Sequence, residues 1–237
     1  MSAKSKVVIS KDGPYLVSGK APLTRDIAKA GKSGDPEEWQ EGERFPEQEA
    51  YALCRCGQSG NKPFCDGMHT RVGFNGFETA SRRPFNQVAK RFKGPELELA
   101  DAEELCSSAR FCRPAGGTWH NVKKSDRPEA KKSAIDTAGK CPSGRLVVID
   151  RKTGKSIEPA HKPGIGLIED PQLGVSGPVW LKGGIELETA DGGKYEARNR
   201  MTLCRCGASK NKPFCDGAHV AERFNDGDKS LKQGKPD

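Results

Sequence analysis

Two stretches of the chain each carry three cysteines and one histidine at the same spacing. LCRCGQSGNKPFCDGMH runs from Leu53 to His69 and LCRCGASKNKPFCDGAH from Leu203 to His219, and only three of the seventeen positions differ. The candidate ligands are Cys54, Cys56, Cys65 and His69 in the first copy and Cys204, Cys206, Cys215 and His219 in the second. Thiolates and imidazoles bind soft and borderline metals. The sequence therefore predicts the same metal site twice.

The spacing within each copy is C-x-C-x8-C-x3-H. Structural zinc sites more usually carry their cysteines in C-x2-4-C pairs. A single intervening residue favours two adjacent thiolates on one iron, with the third cysteine and the histidine on a second iron. A structural zinc site remains the alternative at this point.

The full spelling C-R-C-G-x-S-x-N-K-P-F-C-D-G-x-H resembles the CDGSH (NEET) iron-sulfur family. Met68 and Ala218 stand where the family name has serine, a position that is not a ligand. The resemblance implies one 2Fe-2S cluster per motif, held by three cysteines and one histidine. Such a cluster carries one negative charge less than a four-cysteine cluster, and histidine ligation raises the reduction potential. The free ring nitrogen can take a proton, which predicts pH-dependent potential and cluster retention.

Other residues of the two motifs have two interpretations each. The basic residues are expected either to offset the cluster charge or to be solvated, and the serines either to donate to a ligand sulfur or to stabilise a turn. The residues concerned are Arg55, Arg205, Lys62, Lys212, Ser59 and Ser209. Asp66 and Asp216 are predicted to cap the turn of helix that carries the histidine.

Three more cysteines, Cys106, Cys112 and Cys141, lie between the motifs. Bacterial ferredoxins use C-x2-C-x2-C with a distant Cys-Pro, and here Ala109 occupies the second ligand position. The C-x5-C and C-P-S-G spellings resemble divergent single-cluster ferredoxin domains. Three thiolates suit a 3Fe-4S cluster, or a 4Fe-4S cluster with another group on the fourth iron, and we expect the former. His120 is a weaker candidate for a fourth ligand, and three unrelated thiols are the alternative.

The elements that must position these residues suggest an α+β protein. Residues 1–80 and 159–225 are predicted to form two small β-rich CDGSH-type modules around a ferredoxin-like domain at 81–158, followed by a flexible tail at 226–237. GPYLVSGKAPL and GPVWLKGGIEL predict a strand, a glycine turn and another strand before each motif. The polar segment 26–48 is expected to be a surface excursion, and ADAEELCSSARF a short helix.

Composition limits the function classes. Hydrophobic residues make up 34% of 237 residues, with 28 glycines and 16 prolines, which favours small domains held by metal ligands. The N-terminus has no apolar signal region and no long apolar segment is present, so we expect a cytoplasmic protein with reduced thiols. The net charge of +8 comes from interspersed charges, which argues against nucleic-acid binding.

No catalytic triad, phosphate-binding glycine loop or paired acid carboxylates can be identified, so we expect a non-enzymatic protein. The leading hypothesis is electron transfer through two 2Fe-2S clusters near the surface and a third cluster between them. Its partners would be redox proteins or apo iron-sulfur acceptors. The alternatives are a cluster carrier or redox and pH sensor, and a structural zinc-binding module. Members of the CDGSH family with a single motif commonly form dimers with a shared β cap, so the resemblance implies that the tandem motifs pair within a monomer.

Overall fold

A computed structural model describes residues 4–233. Within these residues, thirteen strands form three sheets, and the helices are short. The strands are β1 (Lys6–Ile9), β2 (Tyr15–Ser18), β3 (Leu23–Ala30), β4 (Pro36–Arg44), β5 (Ala50–Leu53), β6 (Lys90–Lys93), β7 (Leu97–Asp101), β8 (Leu146–Asp150), β9 (Ser156–Ile157), β10 (Gly164–Asp170), β11 (Val175–Lys182), β12 (Glu186–Glu188) and β13 (Arg200–Leu203). The helices are α1 (Met68–Arg71), α2 (Phe85–Val88), α3 (Thr118–Lys123), α4 (Pro128–Gly139) and α5 (Ala218–Ala221). The architecture is α+β, as the sequence predicted.

The two outer modules exchange strands. The first sheet has the order β12-β1-β2-β5, so β12 from the C-terminal module lies parallel to β1 of the N-terminal one. The second sheet has the order β13-β11-β10-β3-β4, and β3 lies parallel to β10. Modules that are distant in the sequence are therefore adjacent in space, with backbone hydrogen bonds between them in both sheets.

A single hydrophobic core joins the two outer modules. It contains residues of both, including Val7, Tyr15, Leu53, Leu181 and Leu203. The Tyr15 hydroxyl donates to the carbonyl oxygen of Cys204 at 2.9 Å, across the boundary between the modules. Burial raises the pKa of this hydroxyl far above its usual range, so Tyr15 remains a neutral donor at any physiological pH.

The segment 26–48 is not an irregular excursion, so that prediction was wrong. Most of it belongs to the hairpin β3–β4, which forms the edge of the second sheet. Strand β3 is difficult to recognise in the sequence because two charged residues, Arg25 and Asp26, occupy buried positions in it. The Arg25 guanidinium binds Glu169 at 2.7 Å, and Lys182 binds Asp26 at 2.8 Å. Partners distant in the sequence thus neutralise charges inside the sheet.

The middle domain is a four-stranded sheet of order β6-β7-β8-β9 packed against α3 and α4. Its core includes Leu97, Leu99, Val122, Ala134 and Val148. Strands β6 and β7 form one hairpin, β8 and β9 form another, and α4 is the longest helix of the described residues. The helix predicted around Cys106 is reduced to a 3-10 turn at Glu103–Leu105, because Ser108 and Arg110 adopt left-handed backbone conformations.

The prediction of a flexible tail at 226–237 is wrong for the first residues of that segment. The side chain of Asp226 is fully buried and accepts hydrogen bonds from Arg25 and Arg205, each at 2.9 Å. Residues 229–233 form a 3-10 turn, and Leu231 is buried. Residues 234–237 lie outside the described residues. Between residues 4 and 233, no helix has the length and apolar character needed to cross a membrane.

Candidate metal centres

Each repeated motif is a tight loop closed onto the strand that precedes it. Strand β5 ends at Leu53, and the chain returns so that the Cys54 amide donates to Pro63 at 2.8 Å and the Cys65 amide to Ala52 at 2.9 Å. The second motif repeats these bonds after β13, at 2.8 Å and 2.9 Å. Helices α1 and α5 then present His69 and His219. We call the four candidate ligands of the two motifs the first site and the second site.

The donors of each site are arranged as two pairs. The sulfur atoms of Cys54 and Cys56 are 3.7 Å apart, and those of the second site 3.8 Å. Two sulfur ligands about 2.3 Å from one tetrahedral ion stand about 3.7 Å apart. The sulfur of Cys65 lies 3.3 Å from Nδ1 of His69, and the matching distance in the second site is 3.4 Å. In each site, Nδ1 is therefore the ring nitrogen that faces the thiols.

Backbone amides point at the sulfurs. The Gln58 amide donates to Cys56 at 3.5 Å, and the Gly67 amide to Cys65 at 3.5 Å. In the second site the Gly217 amide donates to Cys215 at 3.4 Å. Such bonds stabilise negative charge on sulfur and tune a bound metal centre. A serine donor to sulfur is not needed, since Ser59 and Ser209 both donate to backbone carbonyls within their loops at 2.7 Å.

The capping role predicted for the aspartates is present in both motifs. Asp66 accepts hydrogen bonds from the amides of Gly60 at 2.7 Å and Met68 at 3.0 Å. Asp216 makes the same two bonds at 2.8 Å and 3.0 Å. Each carboxylate thus joins the loop before the third cysteine to the helix that carries the histidine.

The basic residues of the motifs bind backbone carbonyls, and Arg205 also binds the carboxylates of Glu169 and Asp226. Arg55 donates to the Gly76 carbonyl at 2.6 Å, and Arg205 to the Gly177 carbonyl at 2.8 Å. Both guanidinium groups belong to buried residues. Lys62 and Lys212 donate to the carbonyls of the serines in their own loops. These four residues therefore fix the shape of the motifs.

Burial changes the proton affinity of the ligands. It raises the pKa of Cys56, with Cys54 and Cys65 adding to the effect, and it raises that of Cys215. Buried thiols of this kind ionise when a metal supplies positive charge. Burial, together with the Arg205 guanidinium, lowers the pKa of His219 to about 4, which keeps the imidazole in its neutral, ligating form. Among residues 4–233, no three His, Cys, Asp or Glu side chains converge on a single ion.

The ligand loops of the first and second sites pack against each other through glycine residues. A Cβ atom built on Gly57 would lie 2.5 Å from the carbonyl oxygen of Cys206, and one built on Gly207 would lie 2.5 Å from that of Cys56. Only glycine allows this approach, and both residues have positive φ angles, 76° and 83°. The backbones of the two ligand loops are thus in direct contact.

The three remaining cysteines form the middle site. Burial raises the pKa of Cys112 to about 11, and the nearby Cys141 and Cys106 thiols add to the effect, so both of them lie near Cys112. Arg145 stands beside them and binds Asp101 at 2.6 Å. His120, the weaker candidate, is exposed, and its ring lies next to Gly116. The three thiols are therefore the donors that the structure groups together.

The middle domain lies directly on the second site. The amide nitrogen of the Asn211 side chain donates to the Glu104 carbonyl at 2.8 Å. A Cβ on Gly217 would overlap the Ser108 hydroxyl, and the Cys106 carbonyl is 3.9 Å from the same point. We call residues 104–108 the cover segment. The expectation that both outer sites lie near the surface is wrong for Cys215 and His219 of the second site, which are 3% and 5% exposed, while Cys206 is partly exposed.

Sequence reasoning missed Arg200, which ties the second motif to the middle site. Its side chain is 1% exposed and donates to the Cys141 carbonyl at 2.7 Å and the Leu146 carbonyl at 3.1 Å. Glu158 accepts from it at 2.7 Å. The matching position in the first copy is Ala50. A comparison of the copies beyond the motifs themselves would have singled out this difference.

Comparison with known families gives two matches. The family described as "iron-binding zinc finger CDGSH type" matches residues 12–70 and 176–220. The family described as "divergent 4Fe-4S mono-cluster" matches residues 92–151. No curated protein and no solved structure matches the chain significantly. The two matched CDGSH segments contain the first and second sites, and the third segment contains the middle site.

Proposed function

Because this chain is an iron-sulfur protein with two CDGSH-type iron-binding domains around a divergent 4Fe-4S mono-cluster domain, we propose that it transfers electrons and has no enzymatic activity. Its first and second sites each hold a 2Fe-2S cluster, and its middle site holds a 3Fe-4S cluster. Bound clusters supply one-electron redox chemistry at the three sites.

The residues of the chain then act as ligands and as tuning groups. In the first site, Cys54 and Cys56 hold one iron, while Cys65 and Nδ1 of His69 hold the other. The second site uses its matching residues. The separation of the donors into two pairs supports a binuclear centre over a single zinc ion. Amide donors to sulfur and the one neutral imidazole both stabilise the reduced state relative to a four-cysteine centre.

The observation that carries the electron-transfer proposal is the contact of the three sites in series. Gly57 of the first site packs against Cys206 of the second, and Gly217 of the second packs against Ser108, close to Cys106 of the middle site. Electron transfer becomes slow as centres move apart, so direct contact between ligand loops favours it. The second site is thus the one that contacts both others, whereas the expectation from the sequence was that the third cluster lies between the two outer ones.

The proposal is tested on protein purified without oxygen. It predicts about seven irons and about eight acid-labile sulfides per chain, as two 2Fe-2S clusters and one 3Fe-4S cluster require. It also predicts that each centre is reduced and reoxidised without loss of iron. A colourless protein with stoichiometric zinc and no sulfide would refute every iron-sulfur function. Loss of iron on each redox cycle would instead refute electron transfer.

A second candidate is transfer of clusters to apo-proteins. The partial exposure of His69 and Cys65 favours it, since a ligand at the surface is open to exchange. The two functions separate in a mixture with an apo-ferredoxin: delivery of cluster supports the carrier, whereas retained cluster with reversible reduction supports electron transfer. We further propose a cytoplasmic monomer, whose strand exchange between modules supplies the pairing found in dimers. A stable dimer mass in light scattering would contradict the monomer.

A further inference from the structure

The first and second sites have almost the same sequence but different surroundings. In the second site, Cys215 is 3% and His219 is 5% exposed, whereas Cys65 and His69 of the first site are partly exposed. The asymmetry belongs to this cysteine–histidine pair, because in the other pair Cys206 is partly exposed and Cys56 is buried. The internal geometry does not explain this, because the donor distances agree within 0.1 Å. The difference in side-chain exposure therefore arises from the neighbouring residues that cover each site.

The cover segment accounts for the difference. Ser108 occupies the space next to Gly217, while a Cβ on Gly67, the matching residue, would meet no atom within 4 Å. Asn211 holds the cover segment by its 2.8 Å bond to Glu104, while Asn61 is exposed. The two sites thus differ by the presence of one segment of the middle domain.

The cover segment is itself anchored in two directions. Leu105 packs against the shared core of the outer modules and against a smaller cluster that contains Ala100 and Val147. Ser107 is buried as well. A segment held between two cores opens rarely, and opening is the step by which solvent reaches groups beneath it.

We propose that the cover segment seals the second site, so that metal bound there is retained, while metal bound at the first site exchanges with chelators and acceptor proteins. In this exchange both irons leave with the chelator, the two inorganic sulfides take up protons from water and leave as hydrogen sulfide, and the freed thiolates are protonated in the same way. No oxidation or reduction is involved. The proposal rests on the function proposed above, because it assigns different roles to its two 2Fe-2S sites.

The test treats the full holoprotein, without oxygen, with ethylenediaminetetraacetate and iodoacetamide. Samples taken over time are digested, and mass spectrometry reports which cysteines have been alkylated. We expect Cys54, Cys56 and Cys65 to be labelled at least tenfold faster than Cys204, Cys206 and Cys215. Equal rates for the two sets would overturn the proposal and leave the proposed function intact. A preparation without sulfide and iron would refute the function itself.

Matched variants identify the cover segment as the cause. Asn211→Ala removes one hydrogen bond to it and should speed labelling of the second set about fivefold, the equilibrium effect of one such bond. Asn61→Ala makes the equivalent change in the first copy and should leave the second set unchanged. Equal effects of the two variants on the second set would contradict a role for the cover segment.

If a water molecule replaces the hydrogen bond that Asn211→Ala removes, labelling stays unchanged, and a second pair of variants is needed. Gly217→Ala places a methyl group against Ser108, while Gly67→Ala places one in open space. The backbone strain is the same in both, because the φ angles are 88° and 85°. We expect Gly217→Ala alone to expose the second set to labelling. If both variants, or neither, release metal from the second site, the cover segment does not seal it.

Discussion

Gly57 lies against the backbone of Cys206, at a distance that leaves no room for a side chain. The same relationship holds between Gly207 and Cys56, so the contact between the two ligand loops is reciprocal. Strand exchange joins the modules within both sheets, through the pairs β1–β12 and β3–β10. The glycine contact joins them at the metal sites.

The first prediction concerns this contact. Gly57→Ala should lower the free energy of unfolding by about 2–5 kcal/mol, because a clash with the backbone is added to left-handed strain. Gly67→Ala is the matched control, since its φ angle is also positive but its surroundings are open. It should cost only about 1 kcal/mol. Denaturant unfolding followed by circular dichroism measures both, and equal losses would show that the contact is unimportant.

The second prediction concerns the histidine ligands. His69→Cys and His219→Cys should each lower the reduction potential of their own centre, because a thiolate adds negative charge where a neutral imidazole stood. The pH dependence that arises from imidazole protonation should flatten at the same time. Protein-film voltammetry measures both properties. A centre whose potential and pH dependence are unchanged does not use that histidine as a ligand.

The third prediction concerns Ala109, which occupies the position of the missing ferredoxin ligand. The oxidised protein should show a low-temperature EPR signal near g of about 2.01, as a 3Fe-4S centre gives. Ala109→Cys should supply a fourth thiolate and convert the centre to an EPR-silent oxidised 4Fe-4S form. Ala115→Cys, at an exposed position of the same domain, is the control and should keep the signal. A silent wild-type protein would argue against 3Fe-4S.

The fourth prediction concerns Arg200. Arg200→Ala should lower the free energy of unfolding by about 3–5 kcal/mol, because it leaves buried carbonyl groups and Glu158 without their cation. It should also broaden the EPR signal of the middle site, since the Cys141 loop loses an anchor. The exposed Arg44, paired with Glu41, is the control. Its replacement by alanine should cost about 0.5 kcal/mol or less.

The fifth prediction concerns pH. Burial, with Arg200 and Lys182 nearby, lowers the pKa of His161 below 6.5, and Glu158 opposes this only in part. The unfolded chain therefore binds a proton at higher pH than the folded chain does. The contribution of neutral His161 to the free energy of unfolding is therefore fully present above pH 6.5, and it is lost as the pH falls below that value.

The variant His161→Phe keeps an aromatic ring beside Trp180, which the imidazole contacts edge-on with ring centroids 5.4 Å apart. It should flatten the pH dependence of unfolding between about pH 7 and pH 5.5. Denaturant unfolding at several pH values is the measurement. An unchanged slope would mean that other groups cause the dependence.

The sequence spacing largely determines which of the candidate donors lie next to each other, because that geometry is local. Cys54 and Cys56 are two residues apart, and Cys65 and His69 share one turn of chain, so the spacing alone nearly determines the pairs. The hairpin of β6 and β7 was predictable for the same reason. Such features depend on short-range turns and strand alternation.

The features that escaped prediction depend on distant partners. Strand β3 does not show a strand-like alternation, since Arg25 and Asp26 are buried beside Glu169 and Lys182. Asp226 was assigned to a flexible tail because a polar segment without visible partners is expected to be solvated. The sealing of the second site depends on Ser108 and Glu104, whose place follows from how the middle domain docks. Only the tertiary structure reveals these contacts.

The strand exchange between the modules has a consequence for how such a protein can diversify. In a symmetric pair of identical chains, every substitution appears at both sites, so neither can change alone. Here both motifs belong to one polypeptide, and a residue such as Arg200 has Ala50 as its counterpart. The shared core preserves the pairing while each half accumulates its own substitutions. A single gene can thus encode an asymmetric pair from a duplicated element.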